Sequence, residues 1–89
     1  MEMNELAEEI FKQAISHQLD DIHLLPIGEE YVFYLRDVNG LKELRKVSAN
    51  IAEQFISYLK YQAGMDVGER RRPQSGSLTF EFSVHQIIE

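Results

Sequence analysis

Cysteine is absent from this sequence. Disulfides and thiolate metal sites are therefore excluded, and a reducing compartment is compatible with the composition. Long apolar runs are absent too. No stretch approaches the roughly 20 residues a helix needs to span a bilayer. The start Met1-Glu2-Met3-Asn4-Glu5 lacks the basic region of a signal peptide, so a cytosolic protein is the default expectation. Neither G-x-x-x-x-G-K-[ST] nor G-x-G-x-x-G occurs, and the glycines stand isolated; a self-contained nucleotide hydrolase is excluded on that ground. No nucleophile-elbow pattern accompanies the serines, histidines and acids. At 89 residues the chain is one domain with a core near the lower end of self-sufficiency.

The formal net charge of −6 is unevenly spread. Residues 1–35 carry eight acids against Lys12 alone, whereas residues 36–72 carry eight bases against five acids. The overall sign argues against a general nucleic-acid binder, and the central basic segment leaves room for one anionic contact. The acidic N-terminal part reads as a solvated face.

Periodicity divides the chain into elements. Asn4 caps a first helix whose apolar residues Leu6, Ala7, Ile10, Phe11, Ala14 and Ile15 recur at helical spacing, ending near His17–Gln18. Asp21-Ile22-His23-Leu24-Leu25-Pro26 reads as a short strand and Ile27-Gly28-Glu29-Glu30 as a turn. Tyr31-Val32-Phe33-Tyr34-Leu35-Arg36 is the plainest strand, and Asn39-Gly40 signals a hairpin returning through Leu41 to Val47. Ser48 opens a second helix with Ile51, Ala52, Phe55, Ile56, Leu59 and Ala63 as its buried stripe and Gly64 as its stop. Strict alternation from Leu78 to His85 marks a last strand, with Leu78, Phe80, Phe82 and Val84 on one face. The order α-β-β-β-α-β implies an α+β sandwich: a mainly antiparallel sheet with two helices on one face.

Most candidate sites weaken on inspection. His17, His23 and His85 are scattered, without the i,i+4 pairing of a helical metal site. Asp20 and Asp21, adjacent at a strand start, point in different directions and suit a cap or turn. Tyr31, Phe33, Phe80 and Phe82 lack the basic signature of a base-stacking sheet and read as core. No catalytic or metal-ligating residue is therefore assigned.

The remaining signal is Met65-Asp66-Val67-Gly68-Glu69-Arg70-Arg71-Arg72-Pro73-Gln74. Guanidiniums stay charged and present a planar fork suited to phosphate or carboxylate. Pro73 pushes Arg72 toward extended geometry, so the run is expected to form a shaped loop.

This segment resembles the M-D-I-x-E-x-R-x-P-Q-D-G-R loop in the N-terminal domain of secretion and type IV pilus ATPases. Asp21-Ile22-His23-Leu24 with Pro26 is similar to that family's S-D-I-H-x-E-P. Tyr34-Leu35-Arg36 followed by Asn39-Gly40-Leu41 resembles its R-x-R-I-D-G-x-L hairpin, and Leu59-Lys60-Tyr61-Gln62-Ala63-Gly64-Met65-Asp66 its S-R-I-K-x-x-A-x-M-D. The four motifs keep their order from about Asp21 to Gly76.

The resemblance implies a PAS-like, non-catalytic N-terminal domain of a hexameric ATPase, with ATP and Mg held by a following C-terminal P-loop domain. It implies that arginines of this domain approach the nucleotide phosphates; by motif matching these are Arg36 and Arg71. The alternative for both is a surface arginine paired with Glu69 or Asp37. Partners implied are the C-terminal ATPase domain, identical subunits and an inner-membrane pilus or secretion platform protein, without direct nucleic-acid contact. The location implied is cytoplasmic, peripheral at the inner face of the cell membrane.

The chain also departs from the pattern. Leu25 replaces an acid, the hairpin is one residue longer, and Ser75-Gly76-Ser77 stands where D-G-R is usual. Arg70 and Arg72 fall at variable positions and inherit no role. The early start fits a compact member of the competence-pilus (DNA-uptake) branch, and the end at Ile87-Ile88-Glu89 reads as a cut that leaves an exposed sheet edge. A free-standing PAS-like sensing or docking module is the rival expectation.

Overall fold

In the computed structural model, residues 2–16, 21–37, 39–73 and 76–83 are described, Asp37 by its backbone alone. Two helices, α1 (Met3–Ser16) and α2 (Ala49–Tyr61), cover one face of a five-stranded antiparallel sheet. The strands are β1 (Asp21–Ile27), β2 (Glu30–Asp37), β3 (Gly40–Ser48), β4 (Val67–Arg71) and β5 (Leu78–Ser83), arranged β3-β2-β1-β5-β4. The α+β sandwich expected from the periodicity is thus present, with one strand added.

That strand is β4. The arginine run was expected to be a loop, yet residues 67–71 pair with β5 from Val67↔Phe82 to Arg71↔Leu78. Ladder hydrogen bonds use backbone groups that every residue here possesses, and charged side chains suit the edge of a sheet, where they discourage pairing with another chain. The loop begins only at Arg72, whose N–H donates to Ser77 O; Gly76 N–H donates back to Arg72 O, both at 2.9 Å. Residues 78–83 form an interior strand, paired with β1 on one side and β4 on the other. Among the described residues the outermost strands of the sheet are β3 and β4.

Register decides which side chains meet. Leu24 lies between Phe33 and Phe80, and Ile22 between Leu35 and Phe82, so these residues share the helix-covered face. Phe55 of α2 enters this face edge-on to Phe33, with ring centroids 5.1 Å apart, and lies 5.9 Å from Phe82. Phe11 of α1 meets Phe82 from the other side at 6.2 Å. Leu6, Ala7, Ile10 and Ala14 complete the core from α1, and Ala52, Ile56 and Leu59 from α2.

The helix ends follow their sequence signals with small shifts. Ser48 caps α2, its Oγ accepting the Ile51 amide at 3.2 Å. Gly64, at φ +65°, turns the chain just past the cap residue Gln62, and Met65 N–H donates to Leu59 O at 2.9 Å. This delivers Met65 into the core and leaves Ala63 exposed, outside the helix stripe to which it was assigned. In α1 the Leu6 amide already bonds to Glu2 O, so the helix starts before Asn4, which sits in its first turn rather than capping it. Ile15, expected in the buried stripe, is 55% exposed. The expected end at His17–Gln18 lies outside the described residues, as do Asp20, Val84 and His85.

Pro26 shapes the middle of the sheet. It has no N–H to donate, and the β1–β5 ladder stops at Leu24↔Phe80. Tyr31, paired with Pro26 on the neighbouring strand, donates its hydroxyl to Leu78 O at 3.2 Å instead. Tyr31→Phe is expected to cost about 1 kcal/mol, read from the midpoint of urea unfolding, because a part-buried carbonyl loses its partner. Phe55→Ala is expected to cost about 3–5 kcal/mol, a large share of the roughly 5–13 kcal/mol available to a domain of this size. A Phe55→Ala protein that unfolds at the parental urea concentration would refute this account of the core.

Candidate functional site

Side chains alternate along a strand, so placing Ile22, Leu24, Phe33, Leu35, Phe80 and Phe82 under the helices sends their neighbours to the opposite face. On that open face β1 presents Asp21, His23 and Leu25; β2 presents Val32, Tyr34 and Arg36; β5 presents Thr79, Glu81 and Ser83; β4 presents Gly68 and Arg70. Neither helix covers these residues. His23 stands between its cross-strand neighbours Tyr34 and Glu81, and its Nδ1 lies 3.4 Å from Glu81 Oε2. At the strand end, Ser83 Oγ donates to Asp21 Oδ1 at 3.1 Å.

Two adjoining hollows, of about 300 and 320 Å³, run across this face and share His23, Arg36, Gly68 and Glu81. Gly68 makes the floor. A Cβ there would stand 3.3 Å from Glu81 Cγ, so any other residue would crowd the glutamate that flanks His23. Charges of both signs line the groove: Asp21 and Asp66 border one end, Glu69, Arg70 and Arg72 the other, and Arg36 and Glu81 border both hollows.

Of the two arginines matched by motif, only Arg36 belongs here. Arg71 pairs with Leu78 and shares the helix-covered side of β4 with Val67 and Glu69. Its guanidinium donates to Gly76 O and so fastens the β4–β5 connection. Glu69, considered as a partner for Arg71, engages Lys60 of α2 instead. Arg36 and Arg71 therefore lie on opposite faces of the sheet, and Arg70 is the member of the run that shares Arg36's face. The Asp37 side chain, the other partner considered, lies outside the described residues.

His23, Glu81, Gly68, Arg70 and Arg72 were not singled out as site residues from the sequence. Their convergence follows from strand alternation once residues 67–71 are paired with β5. Among the described residues no polar or charged side chain is buried, and no group of three metal-ligating residues occurs. The described charges of this face are therefore accessible, none of them enclosed.

Comparison with known proteins identifies the family. A family model described as "Type II/IV secretion system protein" matches residues 2–88. The chain belongs to that family. It is 34% identical over 88 residues to competence protein ComGA of Streptococcus pneumoniae, covering 96% of this chain and 27% of the relative. Competence protein ComGA of Halalkalibacterium halodurans is 33% identical over 72 residues, 81% of this chain and 21% of the relative. The type IV pilus assembly ATPase PilB of Pseudomonas aeruginosa is 32% identical over 76 residues, 85% of this chain and 13% of the relative. The chain thus spans about a quarter or less of the length of these relatives. No described helix of this family member is long and apolar enough to cross a membrane.

Gly68 offers a direct test of the groove. Gly68→Ala is expected to change stability by less than about 1 kcal/mol, since Glu81 is 58% exposed and can swing away. The same substitution is expected to move the His23 ring resonances in NMR spectra. Unmoved His23 signals would show that Gly68 and the His23–Glu81 pair are not coupled.

Proposed function

We propose that this chain is a non-catalytic N-terminal domain of a hexameric traffic ATPase, one that powers a DNA-uptake pilus by coupling nucleotide state to domain movement. The observation that carries the reading is Arg36. It stands on a sheet face that no helix covers, within a segment of the family match, and among the described residues its guanidinium forms no ion pair. A C-terminal domain holding ATP and Mg would supply the chemistry. The role of this domain is to bring a cation to the phosphates as that domain docks, where a charge-matched guanidinium stabilises phosphoryl transfer.

Arg71 joins the same reading from the other side. Its exposed guanidinium stands near the end of the β4–β5 hairpin, so a contact of both arginines with phosphate needs a neighbour at each face. A ring of identical subunits provides two such neighbours. An inner-membrane platform protein is the partner on which the assembled ATPase would act. That places the ring in the cytoplasm against the membrane, without direct contact to nucleic acid.

The test uses the complete ATPase. Arg36→Ala is expected to lower kcat by about 10- to 1000-fold with hexamer assembly unchanged. Arg71→Ala is expected to act in the same direction, with an added loosening of the hairpin. Parental turnover in both variants would remove the arginines from the mechanism. A stop codon directly after Glu89 would turn the reading to a free-standing docking module.

A further inference from the structure

Cross-strand pairing arranges the open face in rows. Glu43, Tyr34, His23, Glu81 and Gly68 form one row across all five strands. Lys46, Val32 and Leu25 begin the next, which ends in the pair Thr79 and Arg70. Between the two rows runs the line Phe33, Leu24, Phe80 and Glu69, turned to the helices. Arg36 and Glu30 stand equally far from this line along β2, and Asp66 and Arg72 equally far along β4. The middle of the face is apolar. Val32 is 1% exposed although no helix covers it and it is no part of the core cluster, and Leu25 and Tyr34 beside it are half-buried.

A two-fold axis lying across the strands above that line exchanges the two rows between facing copies. Arg70 then comes over the partner's Gly68, where the groove floor carries no side chain, and beside the partner's Glu81. The same exchange sets Asp66 opposite the partner's Arg72, Arg36 opposite the partner's Glu30, and Glu43 opposite the partner's Lys46. Each of these pairs is of opposite sign and occurs twice by symmetry. In the centre Val32 meets the partner's Tyr34 and Leu25 the partner's His23, giving an apolar middle within a charged rim. Facing sheets lie about 10 Å apart, a gap that long side chains such as Arg70 span.

The register of this apposition is selective. Moving the axis one residue toward Gly68 would set Glu43 and Glu81 each against its own copy. Moving it one residue the other way would do the same to Lys46 and Arg70. Like charges placed directly opposite repel, so only the central line lets every pair attract. Among the described residues the ion pairs within the chain are those of His23, Arg45 and Lys60, so of the rim charges only Glu81 is engaged. Glu5, Glu8 and Glu9, which contribute to the net charge of −6, ride on α1 behind the sheet.

We propose that the open face is a self-association surface, on which a second copy of this chain docks face to face about that two-fold axis. The pairing covers Arg36 and so withholds it from any other domain. It is an alternative state to the docking proposed above and does not rest on it.

The test is sedimentation equilibrium of the 89-residue chain at low salt. The mean mass is expected to rise from 10.4 kDa toward twice that value as the concentration approaches about 1 mM. Asp66→Lys and Arg72→Glu should each weaken association at least about tenfold, since each turns two attractions into repulsions. Combined, they should restore it to within about threefold, because the exchanged charges meet again across the axis. In one copy the two positions lie at opposite ends of β4, roughly 20 Å apart, so recovery needs two copies. Lys12→Glu, the same reversal on α1, should change association by less than about twofold. A parental chain that stays monomeric to about 1 mM would overturn the proposal. A double variant no tighter than the single ones would do so too, as would a Lys12→Glu loss equal to theirs. Without any substitution, dilution should shift the amide resonances of Leu25, Val32, Tyr34 and Gly68 and leave those of α1 in place. Shifts confined to the helices would place the contact elsewhere and refute it.

Discussion

The packing of Phe55 against Phe33 and Phe82 is the contact on which the rest of the domain depends. It joins α2 to strands β2 and β5, on either side of β1, and so fixes which face of the sheet is the inside. A slip of one residue in β2 would exchange the faces. Phe33 and Leu35 would turn to solvent, and Arg36 would be driven beneath the helices without a counterion. Because the side-chain period is two, there is no intermediate arrangement. Burying an unpaired guanidinium costs several kcal/mol, so the charged face and the apolar face select the same register from opposite directions. The groove is thus a consequence of the core.

Much of this was legible from residue patterns. The two helices, the Asn39-Gly40 hairpin and the alternation from Leu78 announce themselves because each carries a local signal of period or turn chemistry. Gly40, at φ +120°, takes a conformation that few residues other than glycine adopt. The fifth strand carries no such signal. Val67 is its one apolar residue, and its side chains read as a charge run because an edge strand need bury little. Its pairing depends on β5, beyond a loop, and on Met65 being anchored in the core first.

The site was legible to the same extent as β4. Motif matching located Arg36 and Arg71 along the chain, but two residues in one motif set need not share a surface. Their separation follows only from the register Arg71↔Leu78, and the convergence of Arg70 with Arg36 only from Arg70↔Thr79. Ile15 and Ala63 show the converse limit: both have the right spacing for a buried stripe, but Ile15 is exposed beside the fully buried Ala14, and Ala63 lies where α2 has already ended. Periodicity names the face of an element; the reach of its neighbour decides how much of that face is covered.

The placement of the charges bears on how such a domain could take part in an ATPase cycle. A switch that works by internal rearrangement needs a bistable element, and the described parts of this fold offer none: the core is filled by interlocking rings and no polar side chain is buried. What the fold offers is a stiff plate with cations on both sides of its edge strand. β4 is tied to the helical layer by the Glu69–Lys60 pair and by Met65, so its arginines keep their positions relative to Phe55 and the core. In the proposed function, a plate of this kind would transmit nucleotide state by where it docks. Its cations would reach phosphate in one orientation and leave it in another, and the free-energy difference between those orientations would be the coupling. On that proposal, the packing of Phe55 is what would convert a contact at the groove into movement of the domain as one body.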